Sequence, residues 1–229
     1  MSQLNEYKVT PVTTDAVRPW LLELHYLKRM TSMSYKFGLI HNNEVMGVVT
    51  YGNAIPYTMA KSPFGDKWHR NVQELNRLVL SPKCPKNAAS FLVSRSIKQL
   101  PKPTIVVSYA DAGKGHVGYI YQAANFIYTG KSHTQKDWVL KSRPDIHTRT
   151  LMDEFAFTPN RIELLKDRYG DDLVQVDRPA KNRYVYVHAD KRTKAAIMKD
   201  AQFKSHPYPK GNSARLATNA TINTQGILF

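Results

Sequence analysis

A strand–turn–helix pattern occurs twice in the middle of this 229-residue chain. The first copy runs from a β-rich segment at 74–80, through a proline-containing turn, into an amphipathic helical pattern. The second runs from an apolar segment at 104–109, through a glycine-containing turn, into a helical pattern from about Val117. Strands that alternate with helices in this way indicate a mixed α/β domain built around one dominant sheet.

The flanking segments supply further predicted elements. Thr14 and Asp15 are predicted to cap a helix that ends near residues 28–30, and the runs at 37–40 and 45–51 predict a β-hairpin. The polar stretch around Pro56, Pro63 and Gly65 is predicted as an exposed loop. We therefore predict a single domain whose central mixed sheet is flanked by helices. Its parts would be a core at about 12–130, a strand at 183–188, a basic insertion at 131–180 for DNA contact and a polar tail at 207–229.

The charge of the chain narrows the class of its partners. Lys and Arg number 33 against 18 Asp and Glu, which gives a net charge of +15, while 42% hydrophobic residues indicate a folded protein. A folded body with this charge favours nucleic acid over an acidic membrane or protein as its partner. Cys84 is the single cysteine, so disulfides and a cysteine zinc cluster are excluded and a reducing compartment is expected. Because no apolar run reaches the roughly 18 residues of a membrane span and no secretory signal precedes the domain, a cytoplasmic protein is predicted.

The order of predicted elements resembles the GNAT acyltransferase fold, in which a strand leads into a pyrophosphate-binding loop and helix. A local match supports this, because Tyr121-Gln122-Ala123-Ala124-Asn125-Phe126 is similar to the family's Tyr-x-x-x-Gly-Phe ending, with Asn125 in the place of glycine. The resemblance implies that Tyr121 is a general acid for a leaving group, a role that its high reference pKa suits. The structural alternative is that Tyr121 is a core residue of an amphipathic helix.

The predicted cofactor loop departs from the GNAT pattern. It contains Lys86-Asn87-Ala88-Ala89-Ser90 but no glycine, and glycine lets a backbone approach a pyrophosphate closely. These five residues are the predicted cofactor contacts, since a helix N-terminus after a strand suits an anion; an ordinary strand–helix connection is the alternative. Cys84 in this loop is interpreted as a bystander, because nothing in the sequence activates its thiol.

A narrower resemblance covers most of residues 19–130 and, more loosely, 140–210. The chain is similar to the phage Mom proteins, a GNAT-related family that converts adenine in DNA to carbamoylmethyl-adenine and so blocks restriction; this implies action in the cytoplasm of a bacterial host. Six motifs in the same order carry the match: Leu24-His25-Tyr26-Leu27, Phe37-Gly38-Leu39, Val45-Met46-Gly47-Val48-Val49-Thr50-Tyr51-Gly52, Glu74-Leu75-Asn76-Arg77-Leu78, Pro85-Lys86-Asn87-Ala88-Ala89-Ser90 and Ser108-Tyr109-Ala110-Asp111.

The Mom resemblance implies functional roles for His25, Tyr26, Arg77, Ser90, Asp111 and Tyr121. His25 can act as a base or ligand, or cap the first helix, and Tyr26 can stack on a nucleobase. Strand alternation places Arg77 on one face with Leu75 and Val79, opposite Asn76, Leu78 and Leu80, so its charge needs an anionic partner. Asp111 follows a strand, where it can accept the proton of an attacking amine, pair with Arg77 or cap a turn.

Two further sets of residues are predicted from their chemistry. His25, Asp111 and His116 form a candidate two-histidine, one-carboxylate iron site. Tyr109 is a candidate base-stacking residue, and Lys61, Lys67, Arg70 and Lys114 are candidate DNA contacts.

The Mom resemblance implies transfer of a carbamoylmethyl unit to the exocyclic amine of adenine in double-stranded DNA, and the positive charge agrees with a nucleic-acid substrate. The donor is left open between an acyl-CoA-type molecule, an aminoacyl carrier and an iron-assisted route. Two alternatives remain: an ordinary GNAT acyltransferase acting on RNA or protein, and a non-catalytic basic DNA-binding protein.

Overall fold

A computed structural model describes residues 3–53, 57–112 and 115–211 of the chain. The chain divides into two compact units. Unit 1 contains Met1–Lys131 and Asn182–Phe229, and unit 2 is Ser132–Lys181. The segment predicted as an insertion therefore has a compact structure of its own. No helix among the described residues is long and apolar enough to cross a membrane.

Unit 1 is built on a seven-stranded mixed sheet. The strands of the chain are β1 (Lys8–Pro11), β2 (Tyr35–His41), β3 (Glu44–Gly52), β4 (Val72–Leu80), β5 (Thr104–Ala110), β6 (Ile127–Lys131), β7 (Gln135–Leu140), β8 (Leu173–Arg178) and β9 (Asn182–His188). The order in the large sheet is β1-β2-β3-β4-β5-β9-β6, and β7 pairs with β8 in unit 2. Within the large sheet, β4 and β5 pair in parallel, and the other neighbouring pairs are antiparallel.

Helices cover both faces of this sheet. In unit 1 they are α1 (Thr14–Pro19), α2 (Tyr57–Trp68), α3 (Ala88–Ile97), α4 (Tyr119–Ala123) and α7 (Lys191–Asp200). The helices α5 (Thr148–Asp153) and α6 (Arg161–Tyr169) belong to unit 2. Leu92 of α3 and Tyr121 of α4 pack with Tyr184 of β9 in the main core. Phe64 of α2 and Ile197 of α7 pack with other sheet residues in a second core. The predicted mixed α/β class, with helices flanking one central mixed sheet, is confirmed.

The segment predicted as an exposed loop around Pro63 and Gly65 is largely helical. Helix α2 contains Pro63 and has a kink at Gly65, whose φ of 69° and ψ of 178° are not helical. Ala60 and Phe64, four residues apart, are buried against the sheet. The loop prediction was wrong because it gave more weight to the proline and glycine residues than to this pair of apolar residues at helical spacing. Pro56 lies outside the described residues.

The first helix is shorter than its apolar pattern predicts. Thr13 caps α1 by accepting the N–H of Ala16, and a π-helical turn, Trp20–Leu24, follows Pro19 and ends the helix. Proline has no N–H to donate within a helix, and a π turn adds a residue to the turn. The helical segment therefore ends at Leu24, before the predicted residues 28–30, and Leu24 is 40% exposed.

Unit 2 has its own small core but not the positive charge predicted for it. Leucines from its hairpin and both helices form the core: Leu140, Leu151, Leu165 and Leu173. Its nine Lys and Arg residues are balanced by nine Asp and Glu residues. The net charge of +15 therefore belongs to unit 1, and the description of 131–180 as basic was wrong.

The described part of the predicted polar tail packs on unit 1. The hydroxyl of Tyr208 donates to the carbonyl of Phe126 at 2.6 Å, and the side chain of Gln122 donates to the carbonyl of Pro209 at 3.3 Å. These bonds fix the segment against the end of α4 and the start of β6. Residues 212–229 lie outside the described part of the chain.

Candidate active site

A β-bulge in β4 sets the geometry of the candidate site. Arg77 lies opposite Thr50 of β3, but Leu75 lies opposite Tyr51, so Asn76 is an extra residue without its own cross-strand partner. The extra residue reverses the alternation, and Leu75 shares the main core with Leu78 and Leu80. The predicted alternation was therefore wrong for Leu75. Because of the bulge, Arg77 and Leu75 lie on opposite faces of the sheet and not on the same face.

Beyond the bulge, the two central parallel strands separate. β4 and β5 pair at Val72–Ile105, Gln73–Val106 and Glu74–Val107, whereas their later residues pair with β3 and β9 respectively. The hydroxyl of Ser108 donates to the carbonyl of Leu75 at 3.1 Å where the pairing ends. The strands therefore diverge toward the carboxyl ends of β4 and β5, the region of a parallel sheet where sites collect, and we call the space between these ends the cleft.

His25 and Tyr26 follow the π-helical turn directly. The N–H of His25 donates to the carbonyl of Trp20 at 2.9 Å, and His25 itself is extended, at the point where the helix ends. Its side chain is 1% exposed, and its Nδ1 accepts the N–H of Leu27 at 3.1 Å. The His25 and Tyr26 rings stack with centroids 4.6 Å apart. Single π turns occur often at functional sites, and this one presents a histidine–tyrosine pair.

Electrostatic coupling connects Tyr26 with residues of both central strands. Burial raises the pKa of Tyr26, the Asp111 carboxylate raises that pKa further and the Arg77 guanidinium lowers it. Arg77 is half-buried and donates to the carbonyl of Asn76 at 2.7 Å. The structure thus brings Asp111 and Arg77, which are far from Tyr26 in the sequence, into electrostatic range of the Tyr26 phenol.

Tyr121 joins the same group from α4. The pKa of Tyr121 is raised to about 12, mainly by burial. The hydrogen bond with Ser108 lowers this pKa, whereas the charges of Glu74 and Tyr26 raise it. Its side chain is 3% exposed and its ring packs on Phe126 and Tyr184, as the structural alternative for this residue expected. Core packing and coupling to the site are therefore both properties of Tyr121.

Sequence reasoning missed Glu74 and Ser108. Glu74 raises the pKa of Tyr109 as well as that of Tyr121, so its carboxylate lies in range of both phenols. Ser108 connects Leu75 with Tyr121 where the strands separate. The sequence signal that could have identified Glu74 is its acidic side chain within a predicted strand, where a buried charge needs a partner or a function.

The sequence of this chain is similar to those of known proteins. The sequence profile of the Mom protein family matches residues 6–210. The chain belongs to the Mom protein family. It is 25% identical over 210 residues to the methylcarbamoylase mom of Escherichia phage Mu, a match that covers 90% of this chain and 84% of that protein.

Solved structures similar to this Mom family protein include two acetyltransferases. One is the spermidine/spermine N-acetyltransferase SpeG from Vibrio cholerae, at 8% identity and a TM-score of 0.44, covering 83% of this chain and 97% of that one. The other is a GNAT family acetyltransferase from Bacillus cereus, at 12% identity and a TM-score of 0.40, covering 79% of this chain and 96% of that one.

The predicted cofactor loop of this Mom family protein uses much of its backbone for its own turns. The amides of Lys83, Cys84 and Ala88 donate within the loop, to Ser81 Oγ, the Ser81 carbonyl and the Pro85 carbonyl respectively. Ala88 is also buried in the main core, which removes it from the predicted cofactor contacts. A pyrophosphate would therefore have to be bound by groups other than these three amides near the start of α3.

The remaining predicted cofactor contacts lie at the start of α3. Lys86 and Asn87 are exposed, and Ala89 and Ser90 are half-buried. Asn87 occupies the N-cap position with a left-handed φ of 69° and makes no capping hydrogen bond through its side chain. The Ser90 hydroxyl donates to the Asn87 carbonyl at 3.1 Å, so its bond is to a carbonyl and not to a backbone N–H as a capping hydroxyl would make.

The predicted iron ligands are not assembled as a metal site. Across the ranges that the structure describes, no three His, Cys, Asp or Glu side chains form a group that could hold a metal ion. His25 is oriented by Leu27 and by its stack on Tyr26, and the N–H of His116 donates to the carbonyl of Asp111 in a tight turn. The described structure therefore does not bring His25, Asp111 and His116 together as a metal site.

The predicted DNA contacts differ in how far they are already engaged. Lys61 forms an ion pair with Asp66 at 2.6 Å, and Lys67 forms one with Asp200 at 3.4 Å. Arg70 is exposed, and Tyr109 is half-buried against the second core. Lys114 lies outside the described residues. Two of the four predicted cations are thus partly neutralised by neighbouring carboxylates.

The raised pKa of Tyr121 predicts a specific loss of stability in alkali. An unfolded tyrosine ionises near pH 10, whereas the folded phenol ionises at about 12, so its stabilising effect is complete below pH 10 and is lost as the pH rises toward 12. We expect the free energy of unfolding to fall by roughly 1 kcal/mol per pH unit more in the wild type than in Tyr121→Phe between pH 10 and 12. Urea unfolding at fixed pH values measures this, with Tyr35→Phe as the control. Parallel curves for wild type and Tyr121→Phe would contradict it.

Proposed function

We propose that this Mom family protein is a phage transferase that adds a carbamoylmethyl unit to the exocyclic amine of adenine in double-stranded DNA and so protects that DNA from restriction. Family membership and the similarity to the phage Mu methylcarbamoylase support the class of reaction. The net charge of +15 supports a nucleic-acid substrate.

The observation that carries the proposal is the group of side chains around the β4–β5 cleft. The charges of Asp111 and Arg77 act on the pKa of Tyr26, and the charge of Tyr26 acts on the pKa of Tyr121. The group therefore combines a carboxylate, a guanidinium and two phenols whose pKa values are raised, so that both phenols remain protonated at neutral pH. Transfer to an amine requires these parts: a proton acceptor, a charge that orients the donor and a proton donor for the leaving group.

Each residue has a role in the proposed step. The adenine N6 atom forms a new bond to the carbonyl carbon of the glycyl unit while the bond between that carbon and its carrier breaks, and rearrangement of this N6-glycyl adduct gives the isomeric carbamoylmethyl group. Asp111 accepts the N6 proton, and Tyr121 donates a proton to the departing carrier, because its pKa of about 12 keeps it protonated. Arg77 orients the donor through its guanidinium. The stacked His25–Tyr26 pair forms the wall against which the base is held.

Access to the amine requires the adenine to leave the stack. An amine in a duplex is paired and cannot reach a carboxylate inside a cleft, so enzymes of this kind flip the nucleotide out. Aromatic rings then replace the lost stacking at about 1–3 kcal/mol per base. Tyr26, whose ring is half-buried and already stacked on one side, is the proposed contact, with Tyr109 as a second.

The proposed donor is a two-carbon, glycine-amide-like unit on an acyl-CoA-type or aminoacyl carrier. The loop before α3 fits a carrier phosphate only in part, since three of its amides are used internally. Lys86 and Ser90, together with the N-terminus of α3, would hold the carrier's anionic group. This carrier would supply the activated carbon, and the residues of the cleft would supply orientation and proton transfer.

The test is the modification itself. The chain is expressed in a bacterium, the cellular DNA is hydrolysed to nucleosides, and the deoxyadenosines are weighed by mass spectrometry. We expect a fraction of deoxyadenosine to carry the mass of one carbamoylmethyl group. Folded protein with an unmodified adenine pool would contradict the proposal. Salt-sensitive duplex binding without modification would favour a non-catalytic DNA-binding protein, and acetylated RNA or protein would favour an ordinary GNAT acyltransferase.

A further inference from the structure

We infer that unit 1 carries a second nucleic-acid surface, at the end of the sheet opposite the cleft, that holds the backbone of duplex DNA outside the stretch entering the cleft. We call it the basic edge, and it consists of Lys98, Lys102, Lys191, Arg192 and Lys194. That its occupant is DNA rests on the proposed function, whereas the surface itself rests on the geometry and charge described below.

The basic edge lies far from the catalytic group. Lys102 precedes Thr104, the first residue of β5, and Thr104 lies opposite His188, the last residue of β9. Helix α7 and its lysines begin three residues later. Asp111 follows the other end of β5, and a strand of seven residues at about 3.3 Å per residue separates the two ends by roughly 20 Å.

The cations of the basic edge converge on the last residues of β9. Lys98 and Tyr186 line the same hollow, of about 150 Å³, together with Asn125. The ammonium of Lys194 lies 5.9 Å from the centroid of the Tyr186 ring. Burial lowers the pKa of the His188 imidazole, and the nearby charge of Lys102 lowers it further. Cations from α3, from the turn before β5 and from α7 therefore meet at residues 186–188.

These charges are not compensated within the protein. All five side chains are exposed, and none of them forms an ion pair in the part of the chain that the structure describes. The neighbouring acidic residue, Asp190, is already used, because its carboxylate caps α7 by accepting the N–H of Thr193 at 2.9 Å. The basic edge thus differs from Lys61 and Lys67, whose charges are paired with Asp66 and Asp200.

The position of the cations in α7 also argues against a role in folding. Lys191, Arg192 and Lys194 lie in the first turns of the helix, and that first turn contains no acidic residue. The helix dipole favours negative charge at this end, so cations here work against the helix. An external phosphate would relieve this repulsion and would release the counterions that the lysines hold in solution.

The shape of the surface suits an extended polyanion. β6 pairs with β9 only up to Val185, so β6 does not continue alongside Tyr186, Val187 and His188. The cations are spread along this edge and over the adjacent helix ends, with Tyr186 half-buried between them. A repeating phosphate chain matches several separate cations better than one small anion does. Duplex DNA, the proposed substrate polymer, is therefore the occupant to which we commit.

The test compares two variants that lose the same charge. The edge variant carries Lys98→Gln, Lys102→Gln, Lys191→Gln and Lys194→Gln, and the control carries Lys136→Gln, Lys141→Gln, Arg149→Gln and Arg161→Gln in unit 2. Protein is added to a bead-bound duplex and a labelled free duplex, and the label retained on the beads measures bridging. Wild type and control are expected to bridge, and the edge variant is expected to retain at least tenfold less label.

Two further measurements separate this inference from the proposed function. The slope of log binding constant against log salt is expected to become shallower by about 3 to 4 in the edge variant, because each lost phosphate contact removes about 0.9. Modification of a duplex of about 12 base pairs is expected to stay within twofold of wild type, while modification of plasmid DNA falls. If bridging and slope change as expected but no protein modifies adenine, the basic edge is supported and the proposed function is contradicted.

Three outcomes would overturn the inference. The first is an edge variant that bridges duplexes as well as wild type. The second is a control variant that loses as much bridging as the edge variant, which would assign the effect to total charge. The third is duplex RNA that displaces the labelled DNA at a lower concentration than unlabelled DNA does, which would make RNA the occupant.

Discussion

Asp111→Asn is expected to lower the rate of adenine modification by about 10²-fold or more while the protein stays folded. Asparagine keeps the shape of the side chain but cannot accept a proton from the attacking amine at neutral pH. The rate is measured as carbamoylmethyl-deoxyadenosine formed per protein in the expressing bacterium, with Asp145→Asn, an exposed position in unit 2, as the control. Activity of Asp111→Asn within twofold of wild type would contradict the assigned role of proton acceptor.

A second readout for the same variant does not depend on catalysis. Since the Asp111 carboxylate raises the pKa of Tyr26, removing its charge is expected to lower that pKa. Arg77 lowers the pKa of Tyr26, so Arg77→Gln is expected to raise it. Spectroscopic titration against a Tyr26→Phe variant isolates the phenol. Shifts of the same sign in both variants would mean that the three groups are not coupled as the structure has them.

The elements that frame the site could be predicted because their signals are local. The segment that forms β5 is an apolar run, the helix after β4 carries an apolar periodicity over at least six residues, and Asp111 directly follows a strand pattern. The carboxyl ends of adjacent parallel strands meet at one edge of the sheet, so the order of elements predicts that Arg77 and Asp111 lie toward the same region. Such inferences need no knowledge of how one strand pairs with the next.

The features that sequence reasoning missed depend on non-local pairing. The bulge at Asn76 exists because Thr50 and Tyr51 of β3 pair across it, which no pattern within β4 reveals. Glu74 gains its place in the site from Tyr109 and Tyr121, which come from other elements. Helix α2 is stabilised by burial of Phe64 against the sheet, which overrides the breaking tendency of Pro63.

The distribution of charge could have been found from the sequence by choosing different boundaries. A division of the chain near residue 130 gives both parts a similar positive net charge. A division that separates residues 132–181 leaves the whole net charge of +15 in unit 1. The positive field therefore belongs to the unit that contains the cleft. This favours a model of function in which the body around the site attracts the DNA, since a neutral unit 2 contributes little long-range attraction.

Asn76→Ala is expected to lower the rate of modification by about tenfold to 10²-fold, although Asn76 takes no part in the proposed chemistry. The Asn76 side-chain amide donates to the carbonyl of Ser32 at 2.9 Å, and its oxygen accepts the hydroxyl of buried Thr50 at 2.5 Å. Gly52 packs so closely on the same segment that an added Cβ would lie 2.1 Å from the Ser32 carbonyl oxygen. The bulge thus fastens the segment at 25–34, which carries His25 and Tyr26, to the sheet that carries Arg77.

Loss of this attachment is expected to displace the His25 and Tyr26 side chains without changing the charges of the site. Displacement of a positioned group by about 1 Å can cost 10²-fold in rate, while removing one partner from a buried hydrogen bond costs about 1–3 kcal/mol of stability. Thr50→Val serves as the matched variant, because it removes the bond to Thr50 but leaves the bond from Asn76 to Ser32. We expect a similar loss of stability in both variants, measured by urea unfolding, but a much larger loss of modification in Asn76→Ala. Equal loss of activity would mean that Asn76 has only a structural role.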